Sequence, residues 1–246
     1  MKNINYSYDR LKVDLGERNH IRKVILRLKE EYSIRGLNIL ELGSGTGANL
    51  QILLPENNVL GVEGLVDAAN HATSLGVKTI VANLEAPLSL DSAQFDWVLC
   101  LDVLEHLMAP DQALSEAHRL LRPGGKLLIN VPNHFTLTGR IRMLLGAGIH
   151  WNQFFPDKND WDNPHIRFFT RQSIGQLLSA CGFQILRDLS PAVPAVPMSS
   201  QLTQLRLDRL IDWLALHNPN IFCGGFFLLA ERVTHREGNQ ALQGPQ

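Results

Sequence analysis

Five apolar runs of strand length recur in the first part of the chain, at 37–42, 58–62, 77–81, 95–101 and 125–131. The stretches between them carry apolar residues at helical spacing, as Ala113, Leu114, Ala117, Leu120 and Leu121 do. This alternation predicts a parallel sheet with helices on both faces. Right-handed crossovers then bring the carboxyl ends of the strands to one edge, where a ligand binds at the point of strand-order reversal. Glu41, Glu63, Asn83 and Asp102 fall at or just beyond those ends.

The helix before the fifth run opens near Pro110-Asp111, because proline tolerates the first turn and aspartate can cap it. Arg122-Pro123-Gly124-Gly125 is expected to stop that helix, its glycines permitting a left-handed turn into a strand from Lys126. These residues shape the fold and are not expected to touch substrate. From His134 to Phe169 the rhythm fails, and the segment is too irregular for one regular element. It gathers Phe135, Trp151, Phe154, Phe155, Trp161, Phe168 and Phe169, and aromatic density argues against disorder. The reading is a cap insertion over an acceptor pocket; a small satellite core bracing the sheet edge is the alternative.

Helical spacing resumes at 171–181, a sixth strand follows at 183–186, and Pro191, Pro194 and Pro197 mark an extended connector. Residues 201–216 predict an amphipathic helix and 222–230 a last strand. Near the amino end, Ile21, Val24, Ile25, Leu28 and Tyr32 lie opposite Arg22, Lys23, Arg27 and Lys29 on a helix over 20–32. Packing of that face on the sheet or over the ligand is the expected use, and contact with an anionic membrane surface the lesser one.

At 246 residues one domain over 1–233 is expected. It would hold a helical amino-terminal segment (1–36) and the 134–169 insertion, with 234–246 a tail lacking apolar period. A net charge of −1 and a pI near 6.8 give no general field for nucleic acid, although a local basic patch is compatible with them, so a nucleic-acid partner is not favoured. Cys100, Cys181 and Cys223 are odd in number, widely spaced and set among apolar neighbours, which predicts buried thiols in a reducing, cytoplasmic setting. No apolar run reaches the roughly 20 residues that span a bilayer. The sequence does not fix an oligomeric state.

The candidate chemistry sits after the first strand. Gly43, Gly45 and Gly47 alternate with Ser44 and Thr46, and Glu63 follows 20 residues after Gly43. Glycine lets backbone turn sharply against a ligand, and a carboxylate at the next strand end can take both hydroxyls of a ribose. The pattern is G-x-G-x-G, not the G-x-G-x-x-G of pyrophosphate binders, and no phosphate loop of the form G-x-x-x-x-G-K-[ST] occurs. A nucleoside without phosphates fits better than a dinucleotide.

Ile39 to Gly47 and Glu63, with Phe95 to His106 and Leu120 to Ile129, resemble the S-adenosylmethionine-dependent methyltransferases of the Rossmann-like class. Within that class they resemble the ubiquinone-biosynthesis O-methyltransferase and methionine-biosynthesis-type branch. The likeness covers 37–131 and returns at 165–170 and 180–183. It implies an α/β fold: a Rossmann-like, doubly wound, seven-stranded sheet, mostly parallel, with the last strand antiparallel between the fifth and sixth. It also implies S-adenosyl-L-methionine as cofactor, held by Glu41, Gly43, Ser44, Gly45, Gly47, Glu63, Gly64, Asn83, Leu84, Leu101 and Asp102. Gly47 would open a helix toward the cofactor carboxylate, Glu41 would orient the loop or the cofactor ammonium, and Leu65 and Leu84 would wall the purine.

Where the family commonly has an aspartate after the third strand, this chain has Ala82-Asn83-Leu84-Glu85. Either Asn83 accepts from the adenine amine, or it only makes a turn and Glu85 reaches the pocket. His106 is the first candidate base, because imidazole titrates near working pH, and a capping role is its alternative. His165 is the second, ahead of His134 and His150. Arg167 could face an anionic acceptor or a carboxylate of the sheet.

The spacing of His, Asp and Glu suggests no metal site, and Asp157, Asp160 and Asp162 lack the glycine and terminal glutamate of a calcium loop. The favoured activity is methyl transfer to an oxygen, less readily a nitrogen, of a small molecule. A catalytically inactive methyltransferase-like binding or regulatory module is the alternative. A nicotinamide oxidoreductase is disfavoured by the glycine spacing.

Overall fold

The computed structural model describes residues 19–147, 164–197, 205 and 207–233. Helix α1 (Asn19–Glu31) leads to β1 (Asn38–Leu42), α2 (Ala48–Leu53), β2 (Asn58–Glu63), α3 (Val66–Ser74) and β3 (Thr79–Val81). There follow β4 (Phe95–Leu101), α4 (Pro110–Leu120), β5 (Leu121–Pro132) and α5 (Leu137–Leu144). The last elements are α6 (Arg171–Ala180), β6 (Phe183–Asp188), α7 (Asp208–His217), α8 (Pro219–Phe222) and β7 (Gly225–Arg232).

All seven strands join one sheet in the order β3-β2-β1-β4-β5-β7-β6. Strands β1 to β5 pair in parallel, and β7 runs antiparallel between β5 and β6. This is the doubly wound, seven-stranded arrangement expected from the sequence. The order reverses between β1 and β4, and in sheets of this kind the carboxyl ends of the two strands at such a point are where ligands bind.

Strand periodicity divides the core. Leu40, Leu42, Val98, Cys100, Leu127 and Ile129 share one face of the sheet and pack with Ala113, Leu114 and Ala117 of α4 and Ile174 and Leu178 of α6. Ile39, Val59, Trp97, Leu99 and Leu128 share the other face with Ile21, Val24, Ile25 and Leu28 of α1 and Leu50 and Leu53 of α2. The apolar stripe of α1 is therefore spent on the sheet, which removes the surface needed for its membrane reading. Tyr32 meets Trp97 edge-on, with ring centroids 5.5 Å apart.

Some boundaries differ from expectation. Helix α4 ends at Leu120 and β5 begins at once, because Leu121 pairs with Phe95 ahead of a register shift. Arg122 to Gly125 thus form an irregularity within the strand, with Gly124 at φ 73°. The 134–169 segment includes a regular element, α5, whose amino end is capped by Thr136 accepting from Gly139 N. Trp151, Phe154, Phe155, Trp161, His150, Asp157, Asp160 and Asp162 lie outside the described residues, as do 1–18 and 234–246, and of the expected cap 148–163 lie outside them. Cys100 and Cys223 are buried thiols as expected, whereas Cys181 is half-exposed. Among the described residues no helix is long and apolar enough to cross a membrane.

Candidate active site

Between β1 and α2 the backbone must leave the sheet and enter a helix within five residues, and the glycines make this possible. Gly43, Gly45 and Gly47 have φ of 71°, 53° and 77°, a region that costs an L side chain about 1–2 kcal/mol. Space is also short: a Cβ on Gly43 would lie 2.4 Å from Val103 Cγ2. Gly61, in β2, went unnoticed in the sequence, yet a Cβ there would lie 2.4 Å from Ser44 Oγ. Ser44 is buried, and its Oγ has no hydrogen-bond partner among the described residues.

Glu63 ends β2 and ties the turn in place. Its Oε2 accepts from Gly45 N at 2.8 Å and its Oε1 from Leu65 N at 2.8 Å. The side chain is half-buried, and a carboxylate offers about four lone-pair positions, so acceptor capacity remains for a diol. Glu41 shares a sheet face with Ile39 and so points toward α2, where Asn49 Nδ2 donates to its Oε1 at 2.7 Å. At 1% exposure it is no solvated strand-end charge. Gly64 is exposed beside these groups, and Leu101, at the end of β4, is buried in the core.

After β3, Asn83 makes a turn, as one of the two readings had it, and Glu85 turns toward α4. Asn83 is exposed and its Oδ1 accepts from Glu85 N at 3.0 Å, making a turn. The Glu85 carboxylate accepts from the backbone N–H of Met108 and Ala109, so it steadies the entry to α4. Leu84 and Leu65 are half-buried, and Leu84 packs against the core.

After β4 the chain turns through Asp102, which has φ 55° despite carrying a side chain. Asn130 holds it there: the Asn130 Nδ2 donates to Asp102 Oδ1, and Asp102 N donates to the Asn130 carbonyl at 2.9 Å. Such local strain is sustained only where surrounding bonds over-determine it. Asn130 was not singled out from the sequence, although a lone amide inside an apolar strand was a visible signal.

The next turn, Leu104–His106, meets residues 164–168. Ile166 N and Arg167 N both donate to the Glu105 carbonyl, at 2.9 and 3.1 Å, and the Arg167 guanidinium donates to the Met108 carbonyl. A capping box between Thr170 and Ser173 starts α6 and fixes the end of this segment. His106 Nδ1 lies 3.1 Å from the Pro164 carbonyl oxygen. A carbonyl only accepts, so Nδ1 carries a proton, and in the neutral ring Nε2 presents the lone pair. The His106 side chain is 25% exposed and Nε2 is 3.8 Å from Glu105 Oε1.

Two further imidazoles stand behind it. His165 meets His106 edge-on, with centroids 4.7 Å apart, and His134 Nε2 lies 3.0 Å from His165 Nδ1. Burial, reinforced by the neighbouring His106, lowers His134 to about 4; burial, His106 and His134 together lower His165 to about 2. Glu105, His106 and His165 each offer a donor atom within 4.8 Å of the others. The fold thus assembles a group that sequence spacing did not reveal, from segments far apart in the chain.

A family model of the methyltransferase domain matches residues 15–188, which include the glycine turn, Glu63, the Asp102–His106 turn and α6. The chain belongs to this methyltransferase family. The ubiquinone biosynthesis O-methyltransferase of Coxiella burnetii is 28% identical over 138 residues, covering 50% of this chain and 58% of that protein. The chain therefore matches less than two-thirds of this relative's length.

A solved S-adenosylmethionine-dependent methyltransferase of Thermotoga maritima is similar over 92% of this chain and 98% of its own, with a TM-score of 0.55 and 20% identity. A phosphoethanolamine N-methyltransferase of Haemonchus contortus, solved with S-adenosyl-L-methionine, is similar over 81% of this chain and 49% of its own, with a TM-score of 0.54 and 16% identity. At these identities the two structures speak to the fold. The resemblance drawn from the glycine turn and its companion motifs, to the S-adenosylmethionine-dependent methyltransferases, is borne out.

Proposed function

We propose that this methyltransferase moves a methyl group from S-adenosylmethionine to an oxygen of a small-molecule acceptor, with nitrogen the secondary option. The observation that carries the choice of oxygen is His106: its Nδ1 faces the Pro164 carbonyl, and the imidazole, with its side chain a quarter exposed, stands in the turn after β4 where it could take a proton. A hydroxyl must lose its proton as it gains a methyl, whereas a neutral amine attacks without help. The likeness to a ubiquinone biosynthesis O-methyltransferase supports the same reading.

The residues present fit the cofactor. Ser44 contributes a buried hydroxyl with acceptor and donor capacity to spare, and Glu63 a half-buried carboxylate already aimed by two backbone N–H groups. Glu63 would hold the ribose hydroxyls, the Gly43–Gly47 backbone would lie along the methionine portion, and Glu41 would keep α2 and the turn in register through Asn49. Gly64, Leu65, Leu84 and the backbone around Leu101 and Asp102 would line the nucleoside. Asn83 would serve the adenine through the turn it makes.

When bound, S-adenosylmethionine supplies an electrophilic methyl on a positively charged sulfur. The protein's task is alignment, since in-line displacement rewards a fixed near-attack geometry. His106 Nε2 accepts the acceptor proton, and the buried Glu105 carboxylate steadies the imidazolium that results.

The test is incubation of the protein with a small-molecule cell extract and S-adenosylmethionine labelled in its methyl group, followed by mass spectrometry. Label on an oxygen is expected. Binding of the cofactor with no labelled product would favour a regulatory module, and label confined to nitrogen would remove the role given to His106.

A further inference from the structure

We infer that Asn130 is a positioning residue for the cofactor turn: it grips Asp102, and through Val103 it sets the glycine turn on which the cofactor would lie. The inference rests on the reading of that turn as the S-adenosylmethionine site. It concerns a residue of β5 that need not touch the cofactor.

Backbone strain marks the place. Among the described residues only Ser33, Ala93 and Asp102 combine a positive φ with a side chain. Ser33 leads toward the amino end of β1 and Ala93 toward that of β4, so Asp102 is the one at the carboxyl edge. A glycine there would meet the backbone demand at no steric cost. The side chain at 102 carries that cost, and what it gains is a contact.

Asn130 supplies the contact. It pairs with Leu101 at the end of the β4 register; Asp102 N then donates to the Asn130 carbonyl at 2.9 Å, and Asn130 Nδ2 donates to Asp102 Oδ1. Backbone and side chain of Asp102 are thus held by one residue. Asn130 is 4% exposed and stands between the fully buried Ile129 and Val131. Its Oδ1 has no hydrogen-bond partner among the described residues. A half-satisfied amide in an apolar strand is unfavourable, and Gly225 makes room for it, since a Cβ there would lie 3.0 Å from Asn130 Oδ1. An apolar side chain would suit the strand better; the N–H toward Asp102 is what the amide adds.

The grip reaches the glycine turn through the next residue. Val103 is buried and packs so closely on the Gly43 backbone that a Cβ on Gly43 would lie 2.4 Å from its Cγ2. The Val103 carbonyl also accepts from His106 N at 3.0 Å. A change in the Asp102 backbone therefore turns Val103 against Gly43 on one side and shifts the Leu104–His106 turn on the other, because close-packed interiors transmit displacement. One side chain from β5 keeps the glycine turn and the candidate base in a common frame.

The test is a double-mutant cycle in the full-length protein, read by calorimetry with S-adenosylmethionine. Asn130→Leu keeps the branching of the side chain and removes the donor. It is expected to weaken binding at least about tenfold, with no loss in urea midpoint, since the unpartnered carbonyl leaves with the donor. Asp102→Gly removes the carboxylate and adopts the left-handed backbone freely. In that background Asn130→Leu is expected to change affinity by no more than about twofold, because nothing remains for Asn130 to hold.

Equal losses in the two backgrounds would overturn the inference, as would no loss in the first or an affinity lost only together with the urea midpoint. Should Asn130→Leu fail to fold, Asn130→Ala takes its place, as it removes the same donor and adds no bulk beside Gly225. Nitrogen-15 spectra without cofactor read the coupling directly: the Gly43, Ser44 and Gly45 amides should shift on loss of the Asn130 donor, and amides that do not shift would also overturn it. If they shift and the unmodified protein binds no S-adenosylmethionine, the cofactor reading fails while the hold of Asn130 on the turn survives.

Discussion

Replacement of Gly43 by alanine isolates the steric basis of the glycine turn proposed to hold the cofactor. Gly43 sits at φ 71°, and the added Cβ would lie 2.4 Å from Val103 Cγ2. The left-handed backbone costs an L residue about 1–2 kcal/mol. The contact cannot be relieved cheaply, because Val103 is β-branched, stiff at χ1 and buried. Overpacking of this kind costs about 1–3 kcal/mol, so Gly43→Ala should lose roughly 2–5 kcal/mol altogether.

Gly124 is the control. It has φ 73° but nothing within 4 Å of an added Cβ, so Gly124→Ala should lose only the backbone part, about 1–2 kcal/mol. Urea unfolding with unchanged m-values measures both losses. Addition of Val103→Ala should recover part of the Gly43→Ala loss but none of the Gly124→Ala loss, giving a coupling of about 1–3 kcal/mol in the first cycle. Equal losses at the two glycines, or no coupling to Val103, would refute the claim that the turn is packed too closely for a side chain. Cofactor affinity should fall in Gly43→Ala and not in Gly124→Ala, since only the first moves the turn.

Glu63→Ala removes an acceptor from Gly45 N and Leu65 N together with the group proposed to hold the ribose hydroxyls. Hydrogen bonds to charged groups are worth about 1.5–3 kcal/mol, so calorimetry should show S-adenosylmethionine bound at least about tenfold more weakly. His106→Ala should lower labelled methyl transfer by about 10²–10⁴-fold with cofactor affinity unchanged; an unaltered rate would return His106 to a capping role. His134 and His165 lie below their ordinary value of 6.5, at about 4 and about 2, so the unfolded chain takes up protons that the folded one refuses. Stability is then full above pH about 6.5 and is lost as pH falls through about 4 for His134 and on toward about 2 for His165, and urea midpoints below pH 6.5 should fall less steeply in His165→Phe. Dialysis against a chelator should leave methyl transfer intact; a loss reversed by a divalent cation would make the Glu105–His106–His165 group a metal site instead of a base and its support.

The fold was legible because its signals are local. Strands buried on both faces in a parallel sheet read as continuous apolar runs, and 37–42, 58–62 and 95–101 coincide closely with β1, β2 and β4. The α4–β5 junction misled because Pro123 and the two glycines are equally good signs of a connector and of a strand irregularity. Pairing of Leu121 with Phe95 decides between them, and that partner is distant in sequence. The short α5 was missed because its apolar positions are sparse: Ile141 and Leu144 are exposed, so no buried stripe marks it.

The candidate site divides along the same line. The glycine turn and Glu63 are legible as spacing, since a loop and the next strand end are fixed relative to one another by one βα unit. Asn130, Gly61 and Pro164 are not, because each acts on a residue reached only through the sheet register or a return of the chain. Asn130 must lie beside Leu101 in the pairing of β4 with β5 before it can brace Asp102. His134 is the furthest case. Nothing in its neighbours distinguishes it from a surface histidine, and its rank below His106 and His165 was reasonable from sequence. Its place in the molecule follows from two crossings at once: β5 delivers it past the sheet edge, and the segment ahead of α6 brings His165 back to meet it. A side chain whose partners arrive from two directions carries its meaning in the topology, which is why the contact between these imidazoles is legible in the folded chain and not in the string of residues.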